Sequence, residues 1–159
     1  MKQYFTLLPA VALLSACGQA DGELSPGNWK STMTMTKFDI PGAPIAMAQN
    51  AKAMLGKGQS IDSCITPEMA KAGVKEMSSS MQQGDCKMEG FKQGSGKMSG
   101  TMKCTNSAMG ATSMKMDGSY TAEKVNMTLS GEIADAKLPG GKADIEMTMN
   151  SERTGDCKK

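Results

Sequence analysis

Trp29-Lys30-Ser31-Thr32-Met33-Thr34-Met35-Thr36 sets the fold class. Trp29, Met33 and Met35 share one parity, and Lys30, Thr32, Thr34 and Thr36 share the other, so the period is 2 and the segment reads as a half-buried strand. The pattern recurs downstream. Thr112, Met114 and Met116 alternate with Ser113 and Lys115; Val125, Met127 and Leu129 with Asn126 and Thr128; Ala143, Ile145, Met147 and Met149 with Asp144, Glu146 and Thr148. Gly, Pro or short polar clusters, such as Asp117-Gly118 and Leu138-Pro139-Gly140-Gly141, bound these runs. The expected architecture is mainly β, in the α+β class: an antiparallel sheet or partly closed barrel of about six to seven strands with two short helices.

Methionine supplies the apolar face. Beyond residues 1–16, 143 of the 159 residues remain, and only 14 of them are Leu, Ile, Val or Phe. That poverty accompanies disorder when net charge is high, but here 17 basic residues meet 16 acidic ones, and 16 methionines raise the large apolar count to 30. The core of this domain is therefore expected to be built from Met.

One hairpin can be registered from the sequence. Cys86-Lys87-Met88-Glu89-Gly90 and Gly100-Thr101-Met102-Lys103-Cys104 flank the turn-forming Gly94-Ser95-Gly96. Symmetry about Ser95 sets Cys86 opposite Cys104, Met88 opposite Met102 and Gly90 opposite Gly100, and directly opposed strand residues come close enough for a disulfide. The expected pairs are Cys86 with Cys104 and Cys64 with Cys157; the other two pairings of four cysteines stay formally open. No C-x-x-C spacing occurs, so the bridges read as structural clamps.

Two helices interrupt the strands. Pro44 opens the first, with Met47, Ala51, Met54 and Leu55 as its apolar stripe and Gly56 beyond its end. Thr66-Pro67-Glu68 opens the second, with Thr66 as cap, and Met69, Gly73, Met77 and Met81 fall on one side.

The N-terminal stretch reads as an address. Met1-Lys2-Gln3 is short and positive, Tyr4 to Leu14 is too short an apolar run for a permanent span, and Leu14-Ser15-Ala16-Cys17 resembles a bacterial lipobox. The resemblance implies a signal peptide over 1–16, diacylation of Cys17, a flexible tether over 17–25 and a single domain over 26–159. Gly18 after the Cys points to the outer membrane of a bacterial envelope, with the domain facing the periplasm.

Several landmarks together resemble a bacterial envelope family known only as domain of unknown function 3617. They are Pro26-Gly27-Asn28-Trp29, Ser63-Cys64-Ile65-Thr66-Pro67-Glu68, the Cys86 and Cys104 hairpin, Gly118-Ser119-Tyr120 and Glu152-Arg153-Thr154-Gly155-Asp156-Cys157, in order over about residues 24–157. Asn28 stands where the family usually has a bulkier apolar residue. The resemblance implies a secreted or lipid-anchored, disulfide-bearing domain and brings no activity with it.

Composition narrows the function. The chain has no His, which removes the commonest metal ligand and general base, and 18 Lys+Arg against 16 Asp+Glu leaves no footprint for nucleic acid. No motif fixes a catalytic spacing, so the expectation is a non-enzymatic domain without a cofactor, a binding or interaction module for an apolar ligand or another envelope protein, with the membrane as partner through its lipid anchor. An alternative is a Cu(I) or Ag(I) site made by the pairs Met33/Met35, Met114/Met116 and Met147/Met149 converging on one sheet face. A second is a methionine oxidant sink using Met77, Met81 and Met109. The anchor is directly testable: Cys17→Ala should release the protein from sedimented membranes into the soluble fraction, and unchanged fractionation would disprove lipidation at that residue.

Overall fold

The computed structural model describes residues 21–158 apart from 81, 83, 84, 108 and 109. Residues 1–16, expected as a signal peptide, and Cys17 lie outside the described residues. The elements run β1 (Gly27–Asp39), α1 (Ile45–Leu55), β2 (Gln59–Ile65), α2 (Pro67–Ser80), β3 (Cys86–Gly94), β4 (Lys97–Ser107), β5 (Gly110–Tyr120), β6 (Lys124–Ala134), a one-turn 3₁₀ helix (Pro139–Gly141) and β7 (Lys142–Gly155). Seven strands form one open antiparallel sheet in the order β2-β1-β7-β6-β5-β4-β3, so of the two forms expected, the sheet is the one adopted. From β3 to β7 it is a simple meander, and the last strand then returns to pair with the first.

Alternation carries apolar residues to one face in rows that cross the strands. Met35, Met147, Leu129 and Met116 form one row, and Ile145, Gly131, Met114, Met102 and Met88 another. Trp29, Met114, Met116, Val74 and Val125 are the largest fully buried side chains, so methionine does occupy the centre of the core. Strict period 2 through β1 would bring Lys37 to that face. A bulge between Met35 and Lys37 inserts one residue, and Phe38 faces Ile145 instead.

The β3–β4 hairpin shows the same device. Cys86 opposes Cys104 and Met88 opposes Met102, but Gly90 does not oppose Gly100: an irregularity after Glu89 shifts the register by one, and Lys92 then opposes Ser99. The turn is accordingly the two-residue loop Ser95-Gly96, with φ of 51° and 71°, and it is not symmetric about Ser95. Two positive φ values match the twist of a hairpin, as in a type I′ turn. The disulfides join Cys86 to Cys104, with Cα atoms 4.0 Å apart, and Cys64 to Cys157, with Cα atoms 5.4 Å apart. Their loop closures contribute about 3 and about 4.7 kcal/mol in the chain-entropy account.

What covers the core departs from the expected layout. Residues 21–25, expected as free tether, are fastened to the domain, and Leu24 lies in the core. The Leu24 N–H donates to Ala70 O (2.9 Å), the Val74 N–H to Gly22 O (3.2 Å) and the Trp29 indole N–H to Ser25 O (2.9 Å). Asp21 accepts from the Tyr120 hydroxyl (2.7 Å) and the Ser95 N–H (2.8 Å). The Tyr120 bond, then the Ser95 bond, hold the Asp21 carboxyl below its ordinary pKa, while burial, followed by Asp21, raises the Tyr120 phenol. In α2 the Thr66 hydroxyl caps the Met69 N–H (3.3 Å) as expected, but among the described side chains Ala70 and Val74 are the buried ones, and Met69 is half exposed. Gly73 adopts φ 57° and ψ −146°, which breaks the helical periodicity there. A Cβ on Gly73 would collide with Gly22 O, so glycine lets the strap cross the helix. In α1, Met47 is 47% exposed, and the side chains of Ala51, Met54 and Leu55, the rest of the expected stripe, lie outside those described. Asn28 lies off the core face, donating to Thr154 Oγ1 (2.9 Å), so its polarity leaves first-strand packing untouched.

Gly73→Ala should lower the urea midpoint by an amount worth about 2 kcal/mol or more, through steric collision and a backbone conformation open mainly to glycine. Gly42→Ala, also at positive φ but facing open space, should lose less in the same unfolding experiment.

Candidate functional site

The strands do not cover their own edge equally. β2 has seven residues, and Gln59–Cys64 are exposed. Met33 is 45% exposed and Ile61, on the neighbouring edge strand, 65%. Met35 opposes Met147, and Met33 opposes both Gln59 and Met149. Met33, Met35, Gln59 and Met147 line a recess of about 140 Å³ that opens at this edge.

The six methionines considered together in the sequence therefore separate. Met114 and Met116, 2% and 1% exposed, are core residues on β5, with β6 and β7 between them and β1. Met149 is half buried between Met33 and Met127 and does not line the recess. The physical reason is distance across the sheet: each strand adds about 4.8 Å, so side chains three strands apart cannot share a ligand. Met81 and Met109 lie outside the described residues, as does the side chain of Met77.

Gln59 is the lining residue that the sequence reading missed. Its signal was present: after the Gly58 turn, Gln59, Ile61, Ser63 and Ile65 share one parity, which the pairing with β1 turns toward Met33 and Trp29.

Two larger concavities have a different character. One of about 510 Å³ runs past Lys92, Lys97 and Asp117, and one of about 290 Å³ past Lys30, Lys124 and Glu152. Both are grooves among exposed polar side chains, and ion pairs join Lys115 to Asp117 (2.8 Å) and Lys124 to Glu152 (3.0 Å) in them or beside them.

The titratable groups with shifted pKa have structural partners. Besides Asp21 and Tyr120, the Thr66 hydroxyl lowers Glu68, and hydrogen bonding to Glu132 raises Lys142. Glu132 is bonded to Lys142 Nζ (2.7 Å), and Asp135 accepts the Lys137 N–H (2.9 Å). Among the described residues, no group of three or more His, Cys, Asp or Glu side chains is placed to hold a metal ion.

The molecule is thus a disulfide-clamped, methionine-cored antiparallel-sheet domain with one thioether-lined recess at an open edge. The family described as "Protein of unknown function (DUF3617)" matches residues 24–157, and the chain belongs to that family. Comparisons with curated proteins and with solved structures gave no match.

Substitution distinguishes the two kinds of methionine. Met116→Ala should cost about 2–5 kcal/mol in urea unfolding, as core truncations do, whereas Met33→Ala should cost under about 1 kcal/mol. Equal losses would mean that Met33 is packed, and the recess closed, in solution.

Proposed function

We propose that this protein is a lipid-anchored bacterial envelope protein that acts by binding a small ligand, without catalysis, at the recess lined by Met33, Met35, Gln59 and Met147. The observation that carries this reading is the exposure of Met33: it lies on the apolar face of the sheet yet is 45% exposed, where Met114 and Met116 on the same face are buried. A sheet face left open at one edge offers a ligand apolar contact that the fold has not already used. The described lining residues offer thioethers and one amide, groups that neither donate nor accept a proton near neutral pH, which favours binding over acid–base chemistry.

The fastened strap supports the anchor. Cys17 stands four positions before Asp21, a reach of at most about 14 Å for extended chain. Lipidation at Cys17 would hold the Ser95-Gly96 turn close to the bilayer, because Asp21 is bonded to that turn. Gly18 favours the outer membrane, with the domain in the periplasm.

Native mass spectrometry of the protein released gently from its own membranes tests this function. The expected result is an acylated chain carrying a small noncovalent adduct, which Met33→Lys removes while the unfolding temperature stays within a few degrees. A bare chain would count against the reading, as would an adduct indifferent to Met33→Lys.

A further inference from the structure

Taking the recess as the binding site, we infer that its ligand is a single soft monovalent cation, Cu(I) or Ag(I), held by the thioethers of Met33, Met35 and Met147.

Size narrows the ligand first. Pockets for drug-sized organic ligands span about 300–1,000 Å³, while the recess has about 140 Å³. It can admit an ion among its donors or a molecule no larger than about a benzene ring. Donor chemistry narrows it again. Hard cations need several carboxylate or carbonyl oxygens, and among the described residues no carboxylate lines the recess. Thioethers are soft, and they select Cu(I) among biological metals. The chain has no His, and Cys64, Cys86, Cys104 and Cys157 are consumed in disulfides, so in the described domain methionine is the remaining soft donor.

The geometry permits convergence. Met35 and Met147 oppose each other directly across the β1–β7 pair, and Met33 stands two residues along on the same face, diagonal to Met147. Directly opposed side chains have Cβ atoms about 5 Å apart and diagonal neighbours about 7–8 Å apart, within the reach of three unbranched, three-torsion side chains. The recess lies at an exposed edge, so a single positive charge there keeps part of its hydration and avoids the cost of full burial. Gln59 adds only an amide, and the three sulfurs form the coordinating set. Because a thioether carries no proton at any ordinary pH, binding releases none. Affinity should therefore stay flat between about pH 5 and 8, unlike that of His or Cys sites.

Ag(I) is the suitable probe, being inert to redox change and requiring no reductant that would open the disulfides. The mature chain, labelled with ¹³C at the methionine methyl groups, is titrated with silver nitrate in chloride-free buffer. One equivalent should shift the methyl signals of Met33, Met35 and Met147 and leave those of Met114 and Met116 in place, with the same affinity at both ends of the pH range. Met147→Leu, a substitution of similar volume, should weaken binding by about tenfold or more, or about 1.4 kcal/mol; the Met114→Leu, Met116→Leu double variant should retain it. Shifts spread over many methionines, no shift, or binding indifferent to Met147→Leu would overturn the cation assignment.

A parallel titration with benzene separates the two levels of the argument. Benzene shifts confined to the recess methyls without Ag(I) binding would discard the cation and keep the binding site. Failure of both probes would discard the recess as a site altogether.

Discussion

The return of β7 to lie between β6 and β1 is the constraint on which the remaining structure depends. It joins the first strand of the domain to the last, with Ser31 and Ser151 opposed and their hydroxyl oxygens 2.8 Å apart. Through β7, Trp29 on β1 reaches the same apolar face as Val125, Met127 and Leu129 on β6. Through β1, the short edge strand β2 joins the sheet, and the Cys64–Cys157 disulfide then fastens β2 to the chain just beyond β7. Such long-range pairing is costly in chain entropy, and the bridge offsets part of that cost by restricting the unfolded chain.

A single sheet has one apolar face and must cover it. Here α2 and the strap from Asp21 do so, with Ala70, Val74 and Leu24 over Trp29, Tyr120 and the central methionines. Both covering elements are thin, and Gly73 lets them cross in contact. Methionine suits this arrangement because its flexible, unbranched side chain fills the irregular space beneath a thin cover. Toward the β1–β2 edge the same residue type changes role: Met33 is 45% exposed beside the recess, and Met116, in a neighbouring row of the same face, is buried. The proposed binding site is thus an unfinished part of the core.

Much of the fold was legible because strands announce themselves locally. Alternation around Met33 and Met35, Met114 and Met116, and Met147 and Met149 reports which face each residue takes, and the Thr66-Pro67-Glu68 start marks a helix through its own capping bond. The Cys86–Met88 half of the hairpin was readable for the same reason, since its register depends on a nearby turn. The bulges were not, because each inserts one residue to reconcile pleat, twist and apolar content over a whole pair of strands: Phe38 replaces Lys37 on the core face, and Gly90 leaves Gly100.

Sequence alone determined the period of each strand, the small apolar set built on methionine, the absence of His and the family landmarks, all of which are properties of adjacent residues or of composition. Tertiary structure alone decided which methionines are core and which line a recess, that residues 21–25 are part of the domain, and that Ala70 and Val74, not Met69, face inward. The physical reason is that alternation assigns a residue to a face but not to a depth. Depth depends on what packs over that face, and that was fixed by contacts between segments far apart in the chain: the strap on α2, and β7 on β1.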